Sequence, residues 1–191
     1  MTISFAPGAP GGLPDGFATA RTGSGAPAVW ATIADPAASS GHLLVQTSAD
    51  TTDYRFPLAI YARRSAVDVD VTVRFKAVGG RIDRAAGIAV RLADPDNYYV
   101  VRANALEDNV NFYRVLKGSR REIKGATARV TPDAWHTLGL KAQGDQFTIA
   151  FDGNTLFTTT DRTFTASGKV ALWTKADSIT QFDALVVKVL P

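Results

Sequence analysis

Alternating apolar and polar residues between Val67 and Lys76 constrain the fold of this chain more than any other feature of its sequence. Every odd position of this segment is apolar and every even position is polar. Because successive side chains of a β-strand point to opposite faces, this alternation is typical of a strand with one buried face. It recurs in Ile88–Leu92, Phe147–Phe151 and Leu185–Val189. These segments predict strands, and no segment shows the 3.6-residue period of an amphipathic helix.

Turn-forming residues separate the predicted strands, for example at Gly79–Gly80, Asp94–Asn97, Lys117–Ser119 and Asp152–Asn154. Their spacing of about 8 to 16 residues leaves no room for crossover helices, so the strands are expected to pair antiparallel. A single open sheet with this many strands curls or splits. The sequence therefore predicts an all-β fold in which two antiparallel sheets pack face to face as a β-sandwich.

No shift in composition divides the chain, so residues 1–191 are predicted to form a single domain. Residues 1–27 differ from the rest because they are rich in Pro, Gly and Ala, most of all from Pro7 onwards. Such a segment is typical of a loop. We expect it to wrap around the sandwich, because such a segment does not fold alone.

The composition excludes several classes of function. The chain has no cysteine and only two histidines, which excludes a disulfide framework, a thiol nucleophile, an iron–sulfur cluster and a three-histidine metal site within one chain. No run approaches the roughly 20 apolar residues of a membrane span. The first residues lack the basic and apolar regions of a signal peptide. The composition favours a binding domain, or an enzyme that works with carboxylates and lysines, and it does not indicate the oligomeric state.

Strand parity predicts which polar and aromatic side chains face away from the core. If Val170 and Leu172 face inward, Trp173 faces outward beside Lys175. The same reasoning turns Arg102 outward. An outward-facing tryptophan calls for an explanation, because so large an apolar side chain is seldom left in solvent.

Several motifs give the chain a resemblance to a known superfamily. They are Asn97–Tyr98–Tyr99 after a turn, Trp135–Leu138 at the start of a strand, Gly168–Trp173, and a closing Phe182–Asp183. Over roughly residues 55–190 the sequence resembles the concanavalin A-like lectin/glucanase superfamily, which includes laminin G-like domains. It is most similar to bacterial domains of the 3-keto-disaccharide hydrolase type. The resemblance implies a jelly roll whose ligand binds on the concave outer face of one sheet, and it favours a periplasmic or secreted location.

The resemblance, together with strand parity, implies a carbohydrate site on that concave face. An aromatic ring would stack on the C–H face of a sugar, and nearby donors would reach its hydroxyl groups. The candidate ligand-binding residues are Trp173, Arg102, Asn104, Arg91, Asn111, Tyr113 and Lys175. In the alternative interpretation, the N-terminal loop or Trp30 covers Trp173 and Tyr113. The arginines then form ion pairs with Glu107, Asp108 and Glu122.

Catalysis finds less support than binding. A glycosidase needs two carboxylates on either side of the scissile bond. The Glu-x-Asp-x-x-Glu strand of laminarinase-type members of the superfamily is not in the sequence. Asp68 and Asp70 have the right spacing to share a face, but they are interpreted as an exposed strand face. His136 follows Trp135 in a strand, and we expect a structural role for it.

No cofactor is predicted. Asp94 and Asp96 offer clustered oxygen ligands, but their spacing does not match an EF-hand loop. Asp183 lies where some relatives of the fold hold a structural calcium ion. These three residues are weak calcium candidates only.

Basic residues are concentrated in the middle of the chain. Residues 74–124 contain eleven basic and six acidic residues. A nucleic-acid-binding protein usually has a larger basic stripe within a recognised module, so nucleic acid is disfavoured as a partner. An anionic or uronic polysaccharide fits better, because arginine can bind a carboxylate through two hydrogen bonds.

The sequence thus predicts a jelly-roll domain that binds a carbohydrate without catalysis. One alternative is a glycoside-processing enzyme similar to the 3-keto-disaccharide hydrolases, with a carboxylate or lysine of the groove as acid or base. A second alternative is a laminin G-like domain that binds proteins through its loops. Fold resemblance alone does not decide between these functions.

Overall fold

The computed structural model describes residues 1–8 and 12–191. This part of the chain contains no α-helix, and therefore no helix that could cross a membrane. The strands are β1 (Thr2–Ile3), β2 (Phe17–Gly23), β3 (Trp30–Ala34), β4 (His42–Gln46), β5 (Arg55–Ala66), β6 (Val69–Gly79), β7 (Ala85–Asp94), β8 (Asn97–Asn104), β9 (Asn109–Leu116), β10 (Ser119–Thr127), β11 (Trp135–Gln143), β12 (Gln146–Phe151), β13 (Asn154–Thr160), β14 (Gly168–Trp173) and β15 (Ile179–Val189).

The strands form two sheets. The eight-stranded sheet has the order β13-β12-β11-β6-β15-β4-β3, and β1 pairs with β15 outside this path. The seven-stranded sheet has the order β10-β9-β8-β7-β14-β5-β2. All named pairings are antiparallel. The predicted all-β sandwich of two antiparallel sheets is confirmed.

The main core lies between the two sheets. Val71, Val73 and Phe75 of β6 face this core and are completely buried, as their alternation with polar residues predicts. Aromatic rings fill its centre, where Tyr99 and Phe147 lie 4.6 Å apart between ring centroids. Burial of these apolar side chains is the main source of stability of the sandwich.

A second apolar layer lies on the outer face of the seven-stranded sheet. This face is concave because the sheet curves towards it. The Tyr54 hydroxyl, just before β5, donates to the Gly118 carbonyl in the β9–β10 turn at 2.8 Å. Three strands, about 4.8 Å apart, separate β5 from β9, so this contact requires strong curvature. On the same face, the Thr22 hydroxyl of β2 bonds to the Pro95 carbonyl of the β7–β8 turn.

The N-terminal segment does more than wrap. Phe17–Gly23 forms the edge strand β2, which pairs along β5, so the prediction of a continuous loop is wrong there. The strand forms because its small side chains, such as Ala18 and Ala20, sit opposite Ile60 and Leu58 in the second apolar layer. The predicted loop also includes residues 9–11, which lie outside the described part of the chain.

Candidate functional site

Trp173 faces the concave outer side of β14, as strand parity predicts, but its ring is not open to a ligand. The residue is completely buried. Its ring stacks on Phe56 with centroids 5.2 Å apart, and its indole N–H donates to the Tyr98 hydroxyl at 3.2 Å. The prediction of Trp173 as a sugar-stacking residue is therefore corrected to a role in the second apolar layer.

Arg120 covers this layer. Its guanidinium carbon lies 4.8 Å from the Phe56 ring centroid, 4.6 Å from that of Tyr113 and 5.8 Å from that of Trp173. Of the two predicted covers, the N-terminal segment contributes, because its Ala20 packs against the layer and its Thr22 hydroxyl lies 2.7 Å from the Tyr98 hydroxyl, whereas Trp30 does not. Trp30 packs against Phe182 in the main core instead, with ring centroids 5.8 Å apart. The alternative interpretation is therefore right about the burial of Trp173 and about a contribution from the N-terminal segment, and wrong about Trp30.

Arg91 is a second correction. The residue is 3% exposed, and its guanidinium donates to the carbonyls of Val67, Gly144 and Phe164. It also pairs with Asp68 at 3.2 Å. Because every one of these contacts is internal, Arg91 ties loops together and is not available to a ligand.

Arg102 of β8 lies at the centre of a group of polar side chains on the concave face. Its Nη2 donates to Glu107 Oε2 at 2.8 Å and to Asn109 Oδ1 at 2.6 Å. The Asn109 amide donates to the same Glu107 oxygen at 3.0 Å. Burial raises the pKa of Glu107, but the hydrogen bonds from Asn109 and Arg102 outweigh burial and hold this pKa below its ordinary value. Glu107 is thus a carboxylate at neutral pH.

Asp83, Asn104 and Lys175 extend this group. Asp83 accepts from the Asn104 amide at 3.0 Å and lies 2.9 Å from Lys175 Nζ. Lys175 also donates to Asp53 at 2.5 Å. Burial raises the pKa of Asp83, although Lys175 opposes the rise. Burial lowers the pKa of Lys175, but its hydrogen bonds to the two carboxylates outweigh burial, so the lysine stays charged.

The neighbouring strands complete the group. Asn111 of β9 lies opposite Arg102 in the sheet register. Its amide donates to the Tyr113 hydroxyl at 3.1 Å and to Glu122 at 2.9 Å. Glycine is needed beside Asn111, because a Cβ at Gly125 would lie 2.3 Å from the Asn111 oxygen. We call the whole group the polar cluster: Asp53, Asp83, Arg102, Asn104, Glu107, Asn109, Asn111, Tyr113, Glu122 and Lys175.

Two buried side chains anchor the loops that carry the cluster. The Asp177 carboxylate accepts the backbone N–H groups of Arg81, Ile82 and Asp83 at 2.7 to 3.2 Å, which orients Asp83. Arg55 is completely buried and donates to three backbone carbonyls, among them Ala176 at 2.8 Å. The loop between β14 and β15 is therefore held from both sides, and Lys175 with it.

The cluster has a buried floor and a solvent-facing rim. Asp83, Arg102 and Asn104 are each no more than 2% exposed. The rim consists of Asp53, Glu107 and Glu122, which are exposed, and Asn109 and Asn111, which are half-buried. Arg102 Nε is buried without a hydrogen-bond partner among residues 1–8 and 12–191. The exposed apolar side chains of Ile82 and Leu106 directly precede the cluster residues Asp83 and Glu107 in the chain.

Of the seven predicted ligand-binding residues, the structure brings five into the cluster: Arg102, Asn104, Asn111, Tyr113 and Lys175. Of these five, only Asn111 lies in the solvent-facing rim. Sequence reasoning missed Asn109, the first residue of β9, and it also missed Asp53 and Asp83 as members of the cluster. Both aspartates lie in loops, where no strand period marks the direction of a side chain.

The calcium candidates are not brought together. Asp183 of β15 is buried, and it accepts from Arg74 at 3.1 Å and from the backbone and hydroxyl of Ser39. Asp94 accepts from Asp96 and Asn97 within the β7–β8 turn of the other sheet. Within the described part of the chain, no three His, Asp or Glu side chains are arranged to hold a metal ion.

His136 has the structural role that the sequence predicts. Its ring contacts the Asp152 carboxylate at 2.7 Å and the Thr131 carbonyl at 3.1 Å, and it stacks on Phe151. Asp68 pairs with the buried Arg91, so it is more than an exposed strand residue. Neither residue belongs to the polar cluster.

The chain is similar to known proteins both in sequence and in structure. Residues 26–190 match the family model of the galactocerebrosidase C-terminal lectin domain. No curated protein sequence matches the chain significantly. A carbohydrate-binding module, CBM66 from Bacillus subtilis, is similar in structure with 20% identity and a TM-score of 0.70, over 91% of this chain and 95% of the module.

Two further structures are similar in fold. Galectin LEC-6 from Caenorhabditis elegans has 14% identity and a TM-score of 0.52, over 64% of this chain and 84% of the galectin. A β-glucanase from Bacillus licheniformis has 13% identity and a TM-score of 0.55, over 91% of this chain and 98% of the enzyme.

These comparisons confirm the predicted jelly-roll fold, while the closer resemblance to 3-keto-disaccharide hydrolase-type domains stays a prediction. The prediction of a carbohydrate-binding, lectin-type jelly roll is confirmed, because the match over residues 26–190 shows that the chain belongs to the family of galactocerebrosidase C-terminal lectin domains.

Proposed function

We propose that this domain binds its carbohydrate at the rim of the polar cluster on the concave face. The observation that carries the proposal is the convergence of rim side chains from several segments around Arg102. Glu107 and Asn109 bond to Arg102 directly, and Asn111 lies beside it in the register. Carboxylate and amide groups at this spacing can accept from, and donate to, neighbouring sugar hydroxyls.

The support of the rim makes it suitable for recognition. A binding site gains affinity when its side chains are held in place before the ligand arrives. Arg102 holds Glu107 and Asn109 from below, and Glu122 holds the Asn111 amide. The exposed side chains of Ile82 and Leu106, the chain neighbours of Asp83 and Glu107, offer apolar surface for the C–H groups of a sugar ring.

The similarity to other proteins supports the same class of ligand. The structure with a TM-score of 0.70 is a carbohydrate-binding module by its name, and the matching family model is that of a lectin domain. The other half of the concave face is filled by the second apolar layer beneath Arg120. We therefore assign binding to the rim and not to the full length of the groove.

Calorimetric titration with neutral and acidic oligosaccharides tests this proposal. Asn109→Ala and Asn111→Ala should each weaken binding at least about 5-fold, the loss expected for one or two hydrogen bonds to the ligand. Asn154→Ala is the matched control, because Asn154 is the exposed first residue of β13 in the other sheet. Equal affinity in all three variants would exclude the rim as the binding site.

Hydrolysis is a second candidate function, and one observation favours it. Asp83 is a buried carboxyl group whose pKa is raised by burial, and Lys175 lies 2.9 Å away. Such a group can act as a general acid when a substrate reaches it. Chromatography of the titrated sugars distinguishes the two functions. Unchanged sugars support binding alone, and shortened products that are lost in Asp83→Asn support catalysis.

A further inference from the structure

The charge of the polar cluster differs from the charge of the chain segment that supplies most of it. The structure places the basic residues of 74–124 on several different surfaces. Arg74 lies on the outer face of the eight-stranded sheet, where it pairs with Asp183. Arg91 is buried among loops, and Arg114 pairs with Asp161. These three arginines of the basic segment therefore lie away from the cluster.

The cations that do reach the cluster are matched by carboxylates. Lys175 is shared between Asp53 and Asp83, at 2.5 and 2.9 Å, and Arg102 pairs with Glu107 at 2.8 Å. Glu122 adds a carboxylate whose contact within the cluster is the neutral Asn111 amide. Among the members of the polar cluster, with Arg120 added, three cations face four carboxylates.

The charges are also layered. Arg102 is 2% exposed and Lys175 is 9% exposed, so both cations lie below the surface. Asp53, Glu107 and Glu122 are exposed and stand in the rim. A ligand that approaches from solvent therefore meets carboxylates first. Like charges repel each other at a binding surface, so these carboxylates weaken the binding of a negatively charged ligand.

From this layering we infer that the rim selects neutral saccharides and rejects uronic and sulfated ones. This inference rests on the proposed function. The carboxylates and amides of the rim suit hydroxyl groups, which donate as well as accept hydrogen bonds, while a uronate or sulfate group brings only acceptors and a negative charge. This inference is the opposite of the anionic polysaccharide that the basic segment favours.

The experiment compares sugars that differ in charge alone. Oligosaccharides of galactose and galacturonic acid of equal length form one pair, and those of glucose and glucuronic acid form another. Xylose and fructose oligosaccharides extend the neutral set. We expect that only the neutral sugars bind, or that the acidic member of each pair binds at least about 5-fold more weakly at low salt. A difference of this size corresponds to one close contact between like charges in water. High salt screens charges, so it should reduce the difference in affinity between the neutral and the acidic sugar of each pair.

Glu107→Gln tests the cause. It removes one rim charge but keeps an oxygen that can accept from Arg102, and it should reduce the discrimination several-fold. Asp70→Asn is the control. It makes the same charge change on β6 of the other sheet, and it should leave the discrimination unchanged.

The outcomes separate this inference from the proposed function. If neither class of sugar binds, the proposed function is wrong. If acidic sugars bind as tightly as their neutral partners, or more tightly, the domain binds carbohydrate and the selection for neutral saccharides is wrong. Equal effects of Glu107→Gln and Asp70→Asn on the discrimination would show that net charge and not the rim is responsible, which also overturns the inference.

Discussion

Asp83 and Lys175 form the innermost ion pair of the polar cluster, with 2.9 Å between Asp83 Oδ2 and Lys175 Nζ. The Asp83 side chain is 1% exposed and that of Lys175 is 11% exposed. A buried pair of this kind stabilises a fold only while both members are present, because removal of one leaves an uncompensated charge in a poorly solvated place. The pair is thus a sensitive reporter of the cluster.

Lys175→Met should lower the free energy of unfolding by about 3 to 5 kcal/mol at neutral pH. Asp83→Asn added to Lys175→Met should restore part of this loss. Burial already raises the pKa of Asp83, and the variant removes the cation that opposes the rise. A carboxyl group with a raised folded-state pKa binds more protons when folded, so the variant should become relatively more stable as the pH falls. Urea unfolding between neutral and acidic pH measures this, and a loss that is independent of pH would contradict it.

Asp177→Asn should release the loop that positions Asp83. The carboxylate accepts three backbone N–H groups, so the loss should be about 2 to 4 kcal/mol. Burial raises the pKa of Asp177, but the three hydrogen bonds outweigh burial and lower it below its ordinary value of 3.8. The stabilisation is therefore present above that value and lost as the pH falls below it.

Urea unfolding of wild type and Asp177→Asn at neutral and acidic pH tests this direction of the pH dependence. The two proteins should differ most near neutral pH and converge under acidic conditions. Sugar affinity should fall together with stability, because the loop carries Asp83. A variant of unchanged stability would show that the backbone N–H groups find other acceptors.

Trp173 variants should affect stability much more than binding. Trp173→Ala should cost about 3 to 5 kcal/mol, as for other large buried aromatic side chains. Trp173→Phe keeps an aromatic ring beside Phe56 but leaves the Tyr98 hydroxyl without its indole donor, which should cost about 1 to 2 kcal/mol. Thermal unfolding and sugar titration are measured on both. Abolished binding in Trp173→Phe at an unchanged melting temperature would show that the ring does contact the ligand.

Of the three tryptophans, only Trp135 should be accessible to a fluorescence quencher in solution. Trp30 and Trp173 are 7% and 0% exposed, while Trp135 is half-buried, with the Arg74 guanidinium 4.4 Å from its ring centroid. Acrylamide should quench one of the three emissions. The remaining emission of Trp135→Phe should be blue-shifted and resist quenching. A strongly quenched Trp135→Phe protein would indicate that the concave face opens in solution.

The alternating pattern was sufficient to predict the sheets and the inward side chains. Val71, Val73 and Phe75 are buried as their positions imply, and Trp173 lies on the outer face of its sheet. The failure at Trp173 has a clear physical reason. Parity tells which face of a strand a side chain occupies, but burial on that face depends on the curvature of the whole sheet. Here curvature brings Tyr54 to the β9–β10 turn and Arg120 over the Trp173 ring.

By itself, therefore, the sequence determined the local properties of this protein: strands with one buried face, antiparallel pairing through short turns, and the motifs that predict a jelly roll. Only the tertiary structure decided which charges meet. Lys175 finds Asp53 and Asp83 across separations of 122 and 92 residues. Electrostatic interaction depends on distance in space and on burial, and neither can be obtained from a count of charges along the chain.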